Sequence, residues 1–177
     1  MTSLTVMIYP SARDNGLLSL TDFRSRFMIP FAGRYRIIDF AVRNALTAEP
    51  DQIFIHSEVH DDLKVYLDMH PVAQRTKVKI VPMLETQLSV AALQRAVKKH
   101  ETSHYLIYCG DLPGLIDFGE LFDYYVTKKK NKTVLFQLAR DGKAGMAHTA
   151  LITTKKNLMA VLAEAVKTRK SSPHTFE

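Results

Sequence analysis

Cysteine is the scarcest residue type with reactive chemistry in this chain, because Cys109 is the only one among 177 residues. A single thiol excludes an internal disulfide and a cysteine-based zinc cluster. No base is evident beside Cys109 at the end of its apolar run, so we interpret it as a small buried hydrophobic residue rather than a nucleophile. The seven histidines show no His-Glu-x-x-His or similar ligand spacing, and a zinc site is not expected.

Long apolar runs are absent as well. No stretch approaches the roughly 20 consecutive apolar residues that a membrane-spanning helix needs. Residues 1–16 also lack the basic-then-apolar order of a signal peptide. We therefore expect a cytoplasmic protein with no membrane partner.

Negative charge is outnumbered, with 18 acidic residues against 24 lysines and arginines and a formal net charge of +6. The basic residues are spread along the chain, with local clusters at residues 128–132 and 167–170. Aromatic residues do not interleave with these clusters as they do in a nucleic-acid stacking platform. We expect no nucleic acid partner, whereas the positive charge favours an anionic ligand such as a sugar phosphate.

Apolar runs and amphipathic segments alternate along the sequence. The runs predict strands near residues 4–9, 52–57, 78–82, 105–109, 133–138 and 148–153. An apolar stripe at Tyr35, Ile38 and Val42 predicts that Arg34 to Asn44 forms the first helix. The alternation predicts an α/β domain whose mainly parallel sheet has helices on both faces. Ligands bind such sheets beyond the carboxyl ends of the strands.

The most specific motif lies at residues 24–46, which read RSRFMIPFAGRYRIIDFAVRNAL. It resembles the R-x-K-P-x-x-P-F-G-G-[KR]-[YF]-R-[IL]-I-D-F-x-L-S-N signature of the ADP-glucose pyrophosphorylases. Nearly every position from Pro30 to Phe40 matches, with Ala32 replacing one glycine, and Asn44 falls where the family carries its asparagine. So long an ungapped match is improbable by composition alone.

Weaker matches follow in the family's order over most of the chain. Residues 105–111 resemble its strand ending in A-G-D-H, residues 116–125 its M-D-Y helix start, and residues 171–176 its S-S-H-D-F motif. The resemblance implies a Rossmann-like fold of the nucleotide-diphospho-sugar transferase type, and we expect residues 1–177 to form one such domain. It also implies that this chain lacks the family's C-terminal β-helix.

The resemblance also implies candidate site residues. Arg24 and Arg26 occupy the R-x-K positions and are candidates for phosphate binding, although two exposed loop arginines would give the same pattern. Asp111 matches the metal-binding aspartate of the family's G-D motif, which makes Mg²⁺ the candidate cofactor; the alternative is a turn residue that caps the loop before Pro113. Thr86 is the one residue that this chain keeps of the family's G-T-A-D-A motif. It is a candidate nucleotide contact, and the alternative is a helix N-cap.

Other parts of the family's catalytic apparatus are altered. In place of G-G-x-G-[TS]-R-L the chain reads YPSARDNG at residues 9–16, where Pro10 removes an N–H donor and Asp14 adds negative charge. The family's E-K-P lysine, which binds the sugar phosphate, has no counterpart between Leu138 and His148.

The sequence therefore predicts a catalytically impaired nucleotidyltransferase-like domain of glycogen- or starch-type metabolism. Such a domain would bind a nucleotide or sugar phosphate, or act as a regulatory subunit that associates with a catalytic homologue or with further copies of itself. Two alternatives stay open. One is an active glucose-1-phosphate adenylyltransferase that uses Mg²⁺, and the other is a structural fragment of a larger protein of this kind.

Overall fold

A six-stranded sheet organises the part of the chain that the computed structural model describes. The described residues are 2–10, 20, 24–31, 33–57, 61–69, 79–84, 90–111, 114–129, 132–138 and 148–171. The strands are β1 (Leu4–Tyr9), β2 (Pro30–Phe31), β3 (Tyr35–Arg36), β4 (Gln52–Ser57), β5 (Lys79–Leu84), β6 (His104–Cys109), β7 (Val134–Leu138) and β8 (His148–Thr154). The helices are α1 (Ile37–Leu46), α2 (Asp61–Asp68), α3 (Val90–Lys99), α4 (Phe118–Lys128) and α5 (Lys155–Ser171), with a 3₁₀ turn at Arg26–Met28.

The strand order of the large sheet is β5-β4-β1-β6-β8-β7. The first four of these strands run parallel to one another, and β8 is antiparallel to both β6 and β7. From β1 the chain moves outward through β4 to β5 and then returns to the other side of β1 as β6. The carboxyl ends of β1 and β6 therefore border the crevice where sheets of this class bind ligands.

Apolar side chains fill both faces of the sheet. Val6 and Ile8 of β1 pack on one face in a cluster with residues of α1, α2 and α4. Met7 points to the opposite face, where it packs with residues of α3 and α5. The prediction of a mainly parallel α/β sheet with helices on both faces is confirmed.

The six strands predicted for the large sheet are all present, with ends that shift by at most two residues. The short hairpin of β2 and β3 was not predicted. Its turn contains Gly33, whose φ of 82° suits glycine.

The helix predicted from Arg34 to Asn44 begins at Ile37 and not at Arg34, so the predicted start was three residues too early. Arg36 has an extended backbone with φ −118° and ψ 162°, and its N–H donates to Asp39 Oδ2 at 2.7 Å. Asp39 thus accepts a hydrogen bond at the helix start, where backbone donors lack partners within the helix. Tyr35 belongs to the hairpin and is 46% exposed, so it is not part of the buried helical stripe.

Among the described helices, none has the length and apolar character that crossing a membrane requires.

Gly110, just after β6, lies against β1 and α1 so closely that a β-carbon would not fit. A Cβ built there would lie 2.4 Å from Ile8 Cγ2 and 3.0 Å from Ala41 Cβ. We expect Gly110→Ala to lower the free energy of unfolding by about 1–3 kcal/mol through overpacking, as measured by urea denaturation. Val161→Ala, at an exposed position of α5, should change it by less than about 0.5 kcal/mol. Equal stability of Gly110→Ala and the unaltered protein would contradict the close packing.

Candidate functional site

Two charged residues that the sequence singles out meet at the carboxyl edge of the sheet. Asp111 follows the end of β6, and Arg26 begins the 3₁₀ turn. Arg26 Nη1 lies 3.7 Å from Asp111 Oδ2. The side chain of Asp111 is 1% exposed and that of Arg26 is 24% exposed, so Arg26 is the member of the pair that solvent reaches.

The turn that carries Arg26 is held by its neighbours on both sides. Ser25 Oγ is 2.6 Å from Ser57 Oγ at the end of β4, and it accepts a hydrogen bond from the N–H of Phe27 at 3.3 Å. Phe27 and Met28 are buried in the core. Pro10, Ser25, Arg26 and Ser57 line a narrow cleft beside this turn.

Sequence reasoning missed the contribution of Ser25 and Ser57. Ser57 ends the parallel strand β4, and the carboxyl ends of parallel strands are where ligands bind such sheets. Its contact with Ser25, however, depends on how residues 24–29 cross the edge of the sheet.

Arg36, at the end of β3, and Asp39, in α1, are residues of the signature motif that brace this segment. Arg36 Nη1 donates to the carbonyl of Met28 at 2.9 Å, and its guanidinium lies 4.8 Å from the centre of the Tyr66 ring. The Tyr66 hydroxyl donates to Asp39 Oδ1 at 2.7 Å. Burial first, and then this hydrogen bond, raise the pKa of Tyr66 to about 12, so the phenol stays protonated at neutral pH. These motif residues position the turn of Arg26.

Asn44 performs a similar task for the loop that follows Asp111. Its Nδ2 donates to the carbonyl of Gly114 at 2.8 Å, and its Oδ1 accepts from the N–H of Ile116 at 3.1 Å. The side chain is buried. Asn44 therefore satisfies two backbone groups that no strand or helix pairs, and it fixes the loop to α1.

The other candidates are placed as follows. Arg24 is exposed, two residues before Arg26, and the structure does not bring it into the pair with Asp111. Thr86 lies outside the described residues, as do residues 11–19, which include most of the altered glycine loop.

A preformed magnesium site does not fit the described residues. Mg²⁺ in proteins takes oxygen ligands, yet the carboxylate available here faces a guanidinium. The described residues also contain no group of three or more His, Cys, Asp or Glu side chains that could hold a metal. A cation bound at Asp111 would therefore lie beside the positive charge of Arg26.

Cys109, which we interpreted as a small buried hydrophobic residue, is half-buried at the end of β6. Burial, and then the negative charge of Asp111, raise the pKa of its thiol. The thiol is therefore protonated at neutral pH, which disfavours a role as nucleophile.

Solved structures of nucleotidyltransferases share this fold. A Bacillus anthracis protein described as a glucose-1-phosphate thymidylyltransferase superposes with a TM-score of 0.66 at 14% identity, over 90% of this chain and 74% of that one. The 4-diphosphocytidyl-2C-methyl-D-erythritol synthase of Anaerococcus prevotii does so with a TM-score of 0.60 at 13% identity, over 99% and 80%. The fold is that of the nucleotide-diphospho-sugar transferases, as the resemblance implied.

The curated relatives are glucose-1-phosphate adenylyltransferases. The enzyme of Bacillus licheniformis is 24% identical over 163 residues, which cover 81% of this chain and 42% of the enzyme. That of Alkalilimnicola ehrlichii is 26% identical over 145 residues, covering 73% and 34%. No family model matches the chain. The chain is thus a distant relative of these enzymes, also called ADP-glucose pyrophosphorylases, and it spans less than half of the length of the relatives named here.

Asn44→Ala should remove both loop hydrogen bonds, and Asn44→Asp should remove the donor while burying a carboxylate beside the Gly114 carbonyl. We expect each change to lower the free energy of unfolding by about 1–3 kcal/mol, because buried backbone groups lose their partner. Urea denaturation measures this. Thr127→Ala on the exposed side of α4 is the control, with an expected change below about 0.5 kcal/mol. If the loop did not depend on Asn44, both Asn44 variants would have the same free energy of unfolding as Thr127→Ala.

Cys109 offers a direct probe of the charge on Asp111, because it is the only thiol. The rate of alkylation by iodoacetamide should rise with pH, with its midpoint above that of a free cysteine, about 8.5. Asp111→Asn should move the midpoint down, because one of the two causes of the raised pKa is removed. An unchanged midpoint in that variant would mean that Asp111 does not contribute to the raised pKa of the thiol.

Proposed function

We propose that this chain is a nucleotidyltransferase-like domain that binds the phosphate of a nucleotide or sugar phosphate at the carboxyl edge of its sheet, with impaired catalysis. The observation that carries the proposal is the partly exposed Arg26 side chain beside buried Asp111, at the carboxyl ends of the neighbouring strands β1 and β6. A guanidinium in such a crevice suits a phosphate, which it can bind through two parallel hydrogen bonds.

The proposed impairment follows from the sequence of the phosphate loop. Phosphoryl-transfer catalysis depends on donors arranged in advance around the charge of the transition state. Residues 9–16 keep one glycine, and Pro10 and Asp14 respectively remove a donor and add repulsion. Positive charge for binding remains at Arg26, whereas the donors for catalysis are reduced.

A regulatory role would explain why the chain has the fold of these enzymes although its catalysis is impaired. In this proposal the chain associates with a catalytic homologue or with another copy of itself, and ligand binding at Arg26 influences that assembly, within glycogen- or starch-type metabolism. The support is the relationship to glucose-1-phosphate adenylyltransferases together with the altered loop.

Binding and turnover should separate in this protein. We expect calorimetry to detect ATP or glucose 1-phosphate with a dissociation constant within about 1 µM–1 mM, the range of typical substrate constants. Pyrophosphorolysis of ADP-glucose with Mg²⁺ should be undetectable, or weaker by several orders of magnitude than in an intact relative. One lost donor alone commonly costs about 10²–10³ in rate.

The matched variants are Arg26→Gln and Arg43→Gln, each of which removes one positive charge. Arg26→Gln should weaken binding about tenfold or more, because a hydrogen bond to a charged group is lost, while Arg43→Gln, on the exposed side of α1, should not. Thermal denaturation verifies that both variants are folded. Robust Mg²⁺-dependent turnover abolished by Asp111→Asn would contradict the impairment, and equal effects of the two arginine variants would contradict the site.

A further inference from the structure

The pairing of Asp111 with Arg26 bears on which ions this site accepts. Asp111 is 1% exposed, and an ionised carboxylate that far from water needs a nearby positive charge. Arg26 supplies that charge, with Nη1 at 3.7 Å from Oδ2. Because a guanidinium is protonated at all accessible pH values, the compensation is permanent.

A divalent cation would compete with this arrangement. Magnesium binds carboxylate oxygen at about 2.0–2.1 Å, so an ion on Oδ2 would lie no more than about 6 Å from Arg26 Nη1. Two positive charges at that separation repel each other, and the repulsion is weakly screened where water is excluded. Binding of the metal would require Arg26 to move away.

Arg26 is restrained against such a movement at its backbone. The hydrogen bond between Ser25 and Ser57 holds the residue before it, and buried Phe27 holds the residue after it. The backbone of Arg26 is thereby held at the edge of the sheet, within side-chain reach of Asp111. Asp111 acts here through Arg26, as a positioning residue.

We propose that the Arg26 guanidinium takes the place of a divalent cation beside Asp111, so that this edge of the sheet binds the phosphate of a sugar phosphate or nucleotide without a metal ion. The inference rests on the proposed function for its ligand. It differs from the family-derived expectation, in which Asp111 holds Mg²⁺.

The first test measures glucose 1-phosphate binding by calorimetry in excess Mg²⁺ and in EDTA. In the unaltered protein, the dissociation constants measured in Mg²⁺ and in EDTA should agree within about twofold. The same agreement between the two buffers is expected for Asp111→Asn. Binding that Mg²⁺ tightens tenfold or more, with the gain lost in Asp111→Asn, would overturn the inference and leave the proposed function standing. No binding of glucose 1-phosphate or ATP in either buffer would instead overturn the proposed function, and the phosphate part of the inference with it.

The second test needs no phosphate ligand and uses Mn²⁺, whose free form is counted by electron paramagnetic resonance. We expect no Mn²⁺ binding at Asp111 in the unaltered protein or in Arg26→Lys, which keeps the positive charge. Arg26→Gln should gain a Mn²⁺ site, because the repelling charge is gone, and adding Asp111→Asn to that variant should abolish it.

Circular dichroism and thermal denaturation establish which of these variants fold. If Arg26→Gln folds but binds no Mn²⁺, the inference that Arg26 excludes a metal ion from Asp111 would be overturned. Should Arg26→Gln not fold, the unaltered protein and Asp111→Asn decide the matter: Mn²⁺ bound by the former and lost in the latter refutes the proposal, and no binding by either supports it.

Discussion

The close approach of Gly110 to β1 and α1 is the constraint on which the site depends. The space for a side chain at this position is already taken by Ile8 and Ala41, with Phe27 Cε1 also 3.5 Å from where a Cβ would be. Because Phe27 belongs to the 3₁₀ turn, one small residue brings the end of β6 and the turn of Arg26 together. The distance between Arg26 and Asp111 is a consequence of that packing, and it sets the electrostatics of the cleft.

The signature motif contributes architecture more than chemistry in this chain. Arg36 bonds to the backbone of the turn, Asp39 caps α1 and accepts from Tyr66, and Asn44 holds the loop after Asp111. These contacts hold the fold together, and none of them requires that a reaction take place on it. A match to the motif therefore indicates the fold more strongly than it indicates catalysis.

The sequence allowed the sheet to be predicted because buried strands are apolar throughout, and each run between polar turns marks one strand. It did not locate the start of α1. Tyr35 continues the apolar spacing, although the hairpin and the cap by Asp39 determine where the helix begins. The spacing of apolar residues detects a helical face, but it does not detect the hydrogen bond from Arg36 to Asp39 at which α1 begins.

The resemblance identified Arg26 and Asp111 as separate candidates, one for phosphate and one for metal. Their contact could not be predicted, because it depends on the crossing of residues 24–29 over the carboxyl edge and on the packing at Gly110. Ser25 and Ser57 were missed for the same reason. Thr86 and the altered glycine loop lie outside the described residues, and their roles stay predictions.

The contact of Arg26 with Asp111 also limits how this chain can change by mutation. Replacing the arginine alone leaves a buried carboxylate less compensated, and replacing the aspartate alone removes the partner that orients the guanidinium. The effects of substitutions at these two positions are therefore expected to be coupled rather than additive. A lineage that acquired this pair would therefore return to a metal-binding aspartate at a cost in stability, because loss of the arginine leaves the buried carboxylate without that charge until a cation binds.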